Sequence, residues 1–176
     1  LGDSSKPRLE GAYTMRAQAE AVLRVLHKEK VTDLFIIAHS MGGPISLELL
    51  EMCRRKPPIL VRSLVYEEGN IDEGDCFGSK KLVENGPGET DESAALYHSA
   101  KDLVHVSVNG DLFKRLQDVM HNGVPVHFTY GEKNRGRFTS EKLLQQHGIA
   151  IDWVPEGGHS MHRDDGAQAF WRLIGD

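Results

Sequence analysis

The sequence predicts an α/β domain in which helices flank a mostly parallel β-sheet. Strand patterns and helix patterns alternate along the chain, which is typical of parallel sheets. The chain has 176 residues, 39% of them hydrophobic and 27% charged, which suits a folded domain with its own core. The formal net charge of −5 provides no general attraction for nucleic acid or anionic lipid, so we expect neither as a partner.

The predicted elements follow one another in a regular order. Apolar residues recur at helical spacing over residues 14–30, and Thr14 is suited to cap that helix. A continuous apolar run over 34–38 predicts a strand that is buried on both faces. A sharp turn at Ser40 leads into a helix over 41–54. The remaining predicted elements are strands at 60–66, 124–130 and 149–154 and helices at 141–147 and 168–174.

Residues 71–123 interrupt this alternation. They hold acidic clusters, a Gly-Pro-Gly turn at 86–88 and two weak helical patterns. We expect a helical cap insertion between two parts of one core, residues 1–70 and residues 124–176. A disordered excursion is the alternative.

The most informative motif runs from Ala38 to Gly42 and is followed by Gly43. It lies between an apolar strand and a helix, as in the nucleophile elbow, where a strained turn exposes a serine hydroxyl. Small residues two before and two after Ser40 leave room for this turn. The backbone N–H of Met41, at the helix N-terminus, is then placed to stabilise an oxyanion. Ser40 is therefore the candidate nucleophile.

A serine nucleophile requires a base, and histidine is the usual one. His159 lies on a glycine-flanked loop after the last predicted strand, where ligands collect in parallel sheets. His162 is its rival. The pair also has the spacing of two metal ligands, although no third ligand with suitable spacing accompanies it. His39 adjoins Ser40, but we expect its side chain to point away.

The acid that orients the histidine has two candidate positions, both at strand ends. Glu67 and Glu68 follow the second predicted strand, and Glu132 follows the third. Either position produces the chain order serine, acid, histidine. The residue pattern alone leaves this choice open.

Together these motifs resemble the α/β-hydrolase superfamily, in its branch of capped serine hydrolases. Residues 1–7 resemble the end of the loop after the family's fourth strand, and residues 38–43 resemble the elbow after the fifth. The 71–123 segment falls where the family places its cap, and Gly158-His159 resembles the catalytic histidine loop. The family's first four strands have no counterpart here, nor does the loop that donates a second oxyanion N–H.

The resemblance also bears on the acid. The family's usual aspartate position is occupied by Asn134, and an amide carries no negative charge to stabilise an imidazolium. The family's alternative acid, at the end of strand six, matches Glu68. The implied triad is therefore Ser40, His159 and Glu68, with Glu132 as second choice.

The leading hypothesis is a serine hydrolase that acts on a small ester or related carbonyl substrate through an acyl-enzyme, without metal or cofactor. A serine at the elbow, rather than an aspartate, favours ester-type or carbon–carbon hydrolysis. An acyltransferase with the same triad is one alternative. A non-catalytic fragment that binds partners through an open sheet edge is another, and self-association through that edge is expected.

Reduced Cys53 and Cys76, with no apolar run of membrane-spanning length, favour a cytoplasmic location.

Overall fold

The computed structural model describes residues 5–6, 10–55 and 59–175. Within them, four strands form one parallel sheet in the order in which they occur in the chain. The strands are β1 (Asp33–His39), β2 (Leu60–Glu67), β3 (Val126–Gly131) and β4 (Ile151–Val154). The predicted fold class is confirmed.

Helices connect and flank the strands of this sheet. Outside residues 71–123, every predicted helix and strand end lies within two residues of its observed position. The α-helices of the described residues are α1 (Met15–Lys28), α2 (Gly42–Cys53), α3 (Phe77–Asn85), α4 (Asp91–Asn109), α5 (Leu112–His121), α6 (Thr139–Gln146) and α7 (Ala167–Gly175).

Local signals explain where the helices next to the site begin. The Thr14 hydroxyl accepts a hydrogen bond from the backbone N–H of Ala17, so the predicted N-cap of α1 is confirmed. Helix α2 begins directly after the turn at Ser40. Pro44 lies in its first turn, where a missing N–H breaks no intrahelical bond.

The main core lies between the sheet and the helices α2, α5 and α6. It is built from aliphatic side chains together with buried aromatic rings from β2 and β3. Its best-buried members are Leu64, Tyr66, Leu112, Leu116, Phe128, Tyr130 and Leu144. The carboxyl ends of β1, β2 and β3 are thereby held against one rigid layer.

The 71–123 segment is helical, not an irregular excursion. Helix α3 was missed by the sequence patterns, since its nine residues include no buried side chain. Helix α5 packs into the main core through Leu112, Leu116 and Val119. The assignment of the whole segment as a cap stays a prediction, and α5 contributes to the core beneath it.

Strand β1 differs from the expectation of burial on both faces. Phe35 is 73% exposed and Ile37 is 43% exposed, so one face of β1 is largely open in the described part of the chain. Residues 1–4 and 7, on which the resemblance to the family's fourth-strand loop rested, lie outside the described residues. No described helix is long and apolar enough to cross a bilayer.

Candidate active site

The site residues lie at the carboxyl ends of the strands. Ser40 follows β1, Glu68 follows β2, and His159 lies on the loop after β4. Ser40 and Glu68 both have left-handed backbone conformations, with φ of 53° and 41°. Non-glycine residues in this region cost about 1–3 kcal/mol each and concentrate at functional sites. Two such positions at one edge of the sheet make that edge the candidate functional site.

The turn at Ser40 is held by backbone hydrogen bonds. The N–H of Ser40 donates to the carbonyl of Glu67 at 2.9 Å, and the N–H of Gly43 donates to the carbonyl of Ser40 at 2.9 Å. The close approach that requires a glycine is at Gly43, where a Cβ would lie 2.5 Å from the Tyr66 ring. At Gly42 a Cβ would meet nothing within 4 Å. Space for a Cβ at this position means that glycine itself is not required there, and the expectation of a small residue two after the serine stays a prediction.

One chain of hydrogen bonds links Ser40, His159 and Glu68. The Nε2 atom of His159 lies 3.0 Å from Ser40 Oγ, and its Nδ1 atom lies 2.7 Å from Glu68 Oε2. Because a carboxylate only accepts, Nδ1 carries the ring proton and donates a hydrogen bond to Glu68. Nε2 is then left to accept the Ser40 hydroxyl proton. This arrangement increases the nucleophilicity of a serine.

Glu68 is held in a single orientation by buried donors. Its side chain is fully buried, and Oε1 accepts from the N–H of Gly131 at 2.9 Å. The Nδ2 atom of Asn134 lies 3.0 Å from both carboxylate oxygens. The amide at the family's usual acid position thus supports the carboxylate that contacts His159.

The second-choice acid, Glu132, does not reach the imidazole. It is exposed, and both of its oxygens accept from Arg135 at 2.7 Å. The hydrogen bond from Arg135 lowers the pKa of the Glu132 carboxyl. Of the two candidate acids, the structure brings only Glu68 to His159.

Replacing Asn134 with aspartate is expected to disrupt this arrangement. A second carboxylate beside Glu68 removes a buried donor and places like charges in contact, which raises the pKa of one of the two carboxyls. We expect the free energy of unfolding at neutral pH to fall by about 1–3 kcal/mol, measured by urea denaturation. The same change at exposed Asn85 is the control. Equal stability of the two variants would contradict the supporting role of Asn134.

The histidine loop packs directly on the end of β3. A Cβ at Gly131 would lie 2.5 Å from the carbonyl oxygen of Gly157 and would also collide with the backbone of Gly158. Since these are backbone atoms, the loop that carries His159 would have to move.

Gly131→Ala is therefore expected to lower kcat while the protein stays folded. Misplacing a catalytic group by about 1 Å can cost about 100-fold in rate, and we expect a loss of that order. The check is kcat on an ester substrate with circular dichroism beside it. Gly11→Ala, where a Cβ meets open space, is the control. Unchanged kcat in Gly131→Ala would show that the close packing at Gly131 does not position His159.

A small cavity of about 80 Å³ opens beside the serine. The beginning of α3 lines one side of it, and the Phe138 ring lines another. Asp75 is also buried there, and burial raises the pKa of its carboxyl. Residues of the predicted cap segment therefore shape the space next to Ser40.

A second group of polar side chains lies behind His159. The Nε2 atom of His39 is 2.6 Å from the carbonyl oxygen of His159, so its ring contacts the histidine loop. Fully buried Glu67 accepts from the N–H of His162 at 3.2 Å and from its Nδ1 at 2.8 Å. One ligand atom from each of His39, Glu67 and His162 lies within 4.8 Å of the other two.

The sequence pattern did not indicate this group. It pairs His162 with His159 on the same loop, whereas the partners of His162 come from the ends of β1 and β2. One feature of the sequence could have indicated this group. Each partner of His162 directly precedes a candidate site residue at a strand end, since His39 precedes Ser40 and Glu67 precedes Glu68. His162 therefore groups with these two residues and not with His159.

Met41 lies where the sequence analysis expected it. It is the N-cap residue of α2, and the first backbone N–H groups of a helix have no intrahelical acceptor. The positive end of the α2 dipole therefore faces the surroundings of Ser40.

Comparisons with known proteins identify the fold. No protein-family model matches the sequence, and neither does any curated protein. Solved structures do match. The esterase EaEST from Exiguobacterium antarcticum aligns with a TM-score of 0.71 and 18% identity, over 99% of this chain and 76% of the esterase.

Two further structures agree with this alignment. The N-acyl homoserine lactonase AidH, complexed with N-hexanoyl homoserine, aligns with a TM-score of 0.63 and 17% identity over 94% of this chain and 70% of the lactonase. MGS-MChE2, an α/β-hydrolase enzyme from the metagenome of sediments from the Mar Chica lagoon, Morocco, aligns with a TM-score of 0.55 and 14% identity over 98% of this chain and 71% of that enzyme. The chain has the α/β-hydrolase fold.

Proposed function

We propose that this protein is a serine hydrolase that cleaves carboxylic esters or closely related acyl compounds. The observation that carries the proposal is the unbroken hydrogen-bond chain from Ser40 Oγ through the His159 imidazole to Glu68. Two of the similar structures are an esterase and a lactonase, which both cleave an acyl–oxygen bond. Their similarity supports this choice among the chemistries that one fold can host.

In the proposed first step, Ser40 Oγ attacks the substrate carbonyl carbon while His159 Nε2 takes the hydroxyl proton. Glu68 stabilises the resulting imidazolium. The N–H of Met41 and the N-terminus of α2 stabilise the negative oxygen of the tetrahedral intermediate. Collapse of the intermediate breaks the acyl–oxygen bond, and His159 donates its proton to the leaving alcohol.

In the second step, water attacks the acyl-enzyme. His159 takes a proton from the water, and the acid product leaves as Ser40 recovers its hydroxyl proton. An acyltransferase would use the same first step and would pass the acyl group to another acceptor. The exposed face of His159, whose side chain is 46% accessible, admits water and favours hydrolysis.

The small cavity favours a short acyl group. About 80 Å³ accommodates only a few heavy atoms, so we expect acetyl and butyryl esters to react faster than long-chain esters. Residues at the beginning of α3 set this limit.

Rapid mixing with p-nitrophenyl acetate tests the proposal. We expect an initial burst of one p-nitrophenolate per chain, followed by slower turnover, with an acetylated protein visible by mass spectrometry. Comparing the amount of acetate released with the amount of acetyl group transferred to added alcohols separates hydrolysis from acyl transfer. Folded protein that shows neither a burst nor acylation with esters, thioesters and lactones would refute the function.

A further inference from the structure

We propose that His39, Glu67 and His162 form a binding site for one zinc ion, or a similar divalent transition-metal ion, beside the Ser40–His159–Glu68 group and separate from it. The three residues come from the end of β1, the end of β2 and the histidine loop. We call them the rear cluster.

The burial of Glu67 is the first argument. Its side chain has no exposed surface, and among the described residues only His162 donates hydrogen bonds to its carboxylate. Neighbouring Glu68 is equally buried but accepts from Gly131, Asn134 and His159. Buried carboxylates are stabilised by paired donors or by metal ions. A divalent ion would replace the proton that His162 Nδ1 holds against this carboxylate, and Glu67 would change from hydrogen-bond acceptor to metal ligand.

The hydrogen bond of His39 is the second argument. Its Nε2 donates to the carbonyl of His159, which leaves Nδ1 as the ring nitrogen with a lone pair. Histidine ligands in metal sites usually donate their other N–H to a carbonyl or carboxylate in this way.

The donor set selects the metal. Two imidazoles and one carboxylate form a zinc set that leaves a fourth position open, whereas calcium and magnesium prefer oxygen ligands. Ligand atoms at about 2.0–2.1 Å from a tetrahedral ion lie about 3.4 Å apart. The rear-cluster atoms are within 4.8 Å of one another, so metal binding would have to bring them closer together.

Metal in the rear cluster would also act on His159. The rings of His39 and His159 have centroids 4.7 Å apart. A divalent cation bound by His39 would be close to His159 and would oppose formation of the imidazolium, so zinc is expected to slow ester hydrolysis. This consequence alone rests on the proposed function, because metal binding itself requires no catalysis.

The test is isothermal titration of chelator-treated protein with Zn²⁺. We expect one ion per chain, and an affinity at least about tenfold weaker in His162→Gln and in Glu67→Gln. Zn²⁺ should raise the melting temperature of the wild type and have little effect on either variant. His121→Ala, at an exposed histidine outside the cluster, should bind as the wild type does.

A second arm separates the rear cluster from the catalytic histidine. Co²⁺ should produce the visible d–d spectrum of a four-coordinate site in the wild type and in His159→Ala. This spectrum should be absent in His162→Gln. Circular dichroism verifies that each variant is folded. The proposal is overturned by failure of the wild type to take up Zn²⁺, by unchanged affinity in both cluster variants, or by binding that depends on His159 and not on His162. None of these results bears on ester cleavage.

Discussion

Replacing His159 with alanine is expected to lower kcat on an ester substrate by about 10⁶-fold. His159 is the only described side chain that contacts both Ser40 Oγ and Glu68, so its loss removes the base and the link to the acid together. Loss of the base in a comparable triad costs a factor of this size. The ring is also 46% accessible, so its removal leaves the core intact, while buried Glu68 loses one of its donors.

The comparison for this variant is His121→Ala, which removes an exposed histidine at the end of α5. Full activity in this control and its loss in His159→Ala assign the effect to the site. Added imidazole should restore part of the activity of His159→Ala, since a small base can enter the space left by the ring. Near-normal kcat in His159→Ala would show that His159 is not the base.

Replacing Glu68 with glutamine is expected to lower kcat by about 10⁴-fold with little change in KM. A neutral amide stabilises no imidazolium, and its NH₂ group favours the tautomer of His159 in which Nε2 carries the proton. That tautomer cannot accept the Ser40 proton. The size and shape of the side chain are preserved, so binding of substrate is not expected to change.

Glu132→Gln is the matched control for the acid. In the wild type the Glu132 carboxylate accepts hydrogen bonds from Arg135 at the surface, so we expect the variant's kcat to be within about twofold of the wild-type value. A large loss in Glu132→Gln with none in Glu68→Gln would reverse the assignment of the acid. Steady-state kinetics of both variants, measured side by side, distinguish the two outcomes.

Much of the fold was predictable because its signals are local. Apolar runs and helical spacing located the strands and helices outside residues 71–123, and the Thr14 cap is a short-range contact. The elbow could be found because its residues are contiguous around Ser40. Pairing of Ser40 with His159 spans 119 positions and was inferred from the rule that parallel strand ends converge.

Other features depend on contacts that no local pattern encodes. Helix α3 has no buried face, so it has no apolar periodicity to detect. The exposure of Phe35 depends on which elements cover its face of β1, and a buried and an exposed strand can have the same composition. Self-association through this edge stays a prediction, as does a cytoplasmic location.

The rear cluster was missed for a related reason. His39 was considered only as a neighbour of Ser40, and Glu67 only as part of a candidate position for the acid. Successive residues of a strand point to opposite sides, so two neighbours can serve two different groups. Asn134 is the converse case: its amide argued against an acid at that position, and the structure shows it donating to the carboxylate that contacts His159.

Covalent labelling with a fluorophosphonate most directly tests whether His159 activates Ser40 as a nucleophile. We expect one label per chain, mapped to Ser40 by peptide mass spectrometry and absent in Ser40→Ala. His159→Ala should label far more slowly, and Ser79→Ala, which changes another serine of the same cavity, should still label at Ser40. Well-folded wild-type protein that stays unlabelled, or that is labelled at another serine, would contradict the account.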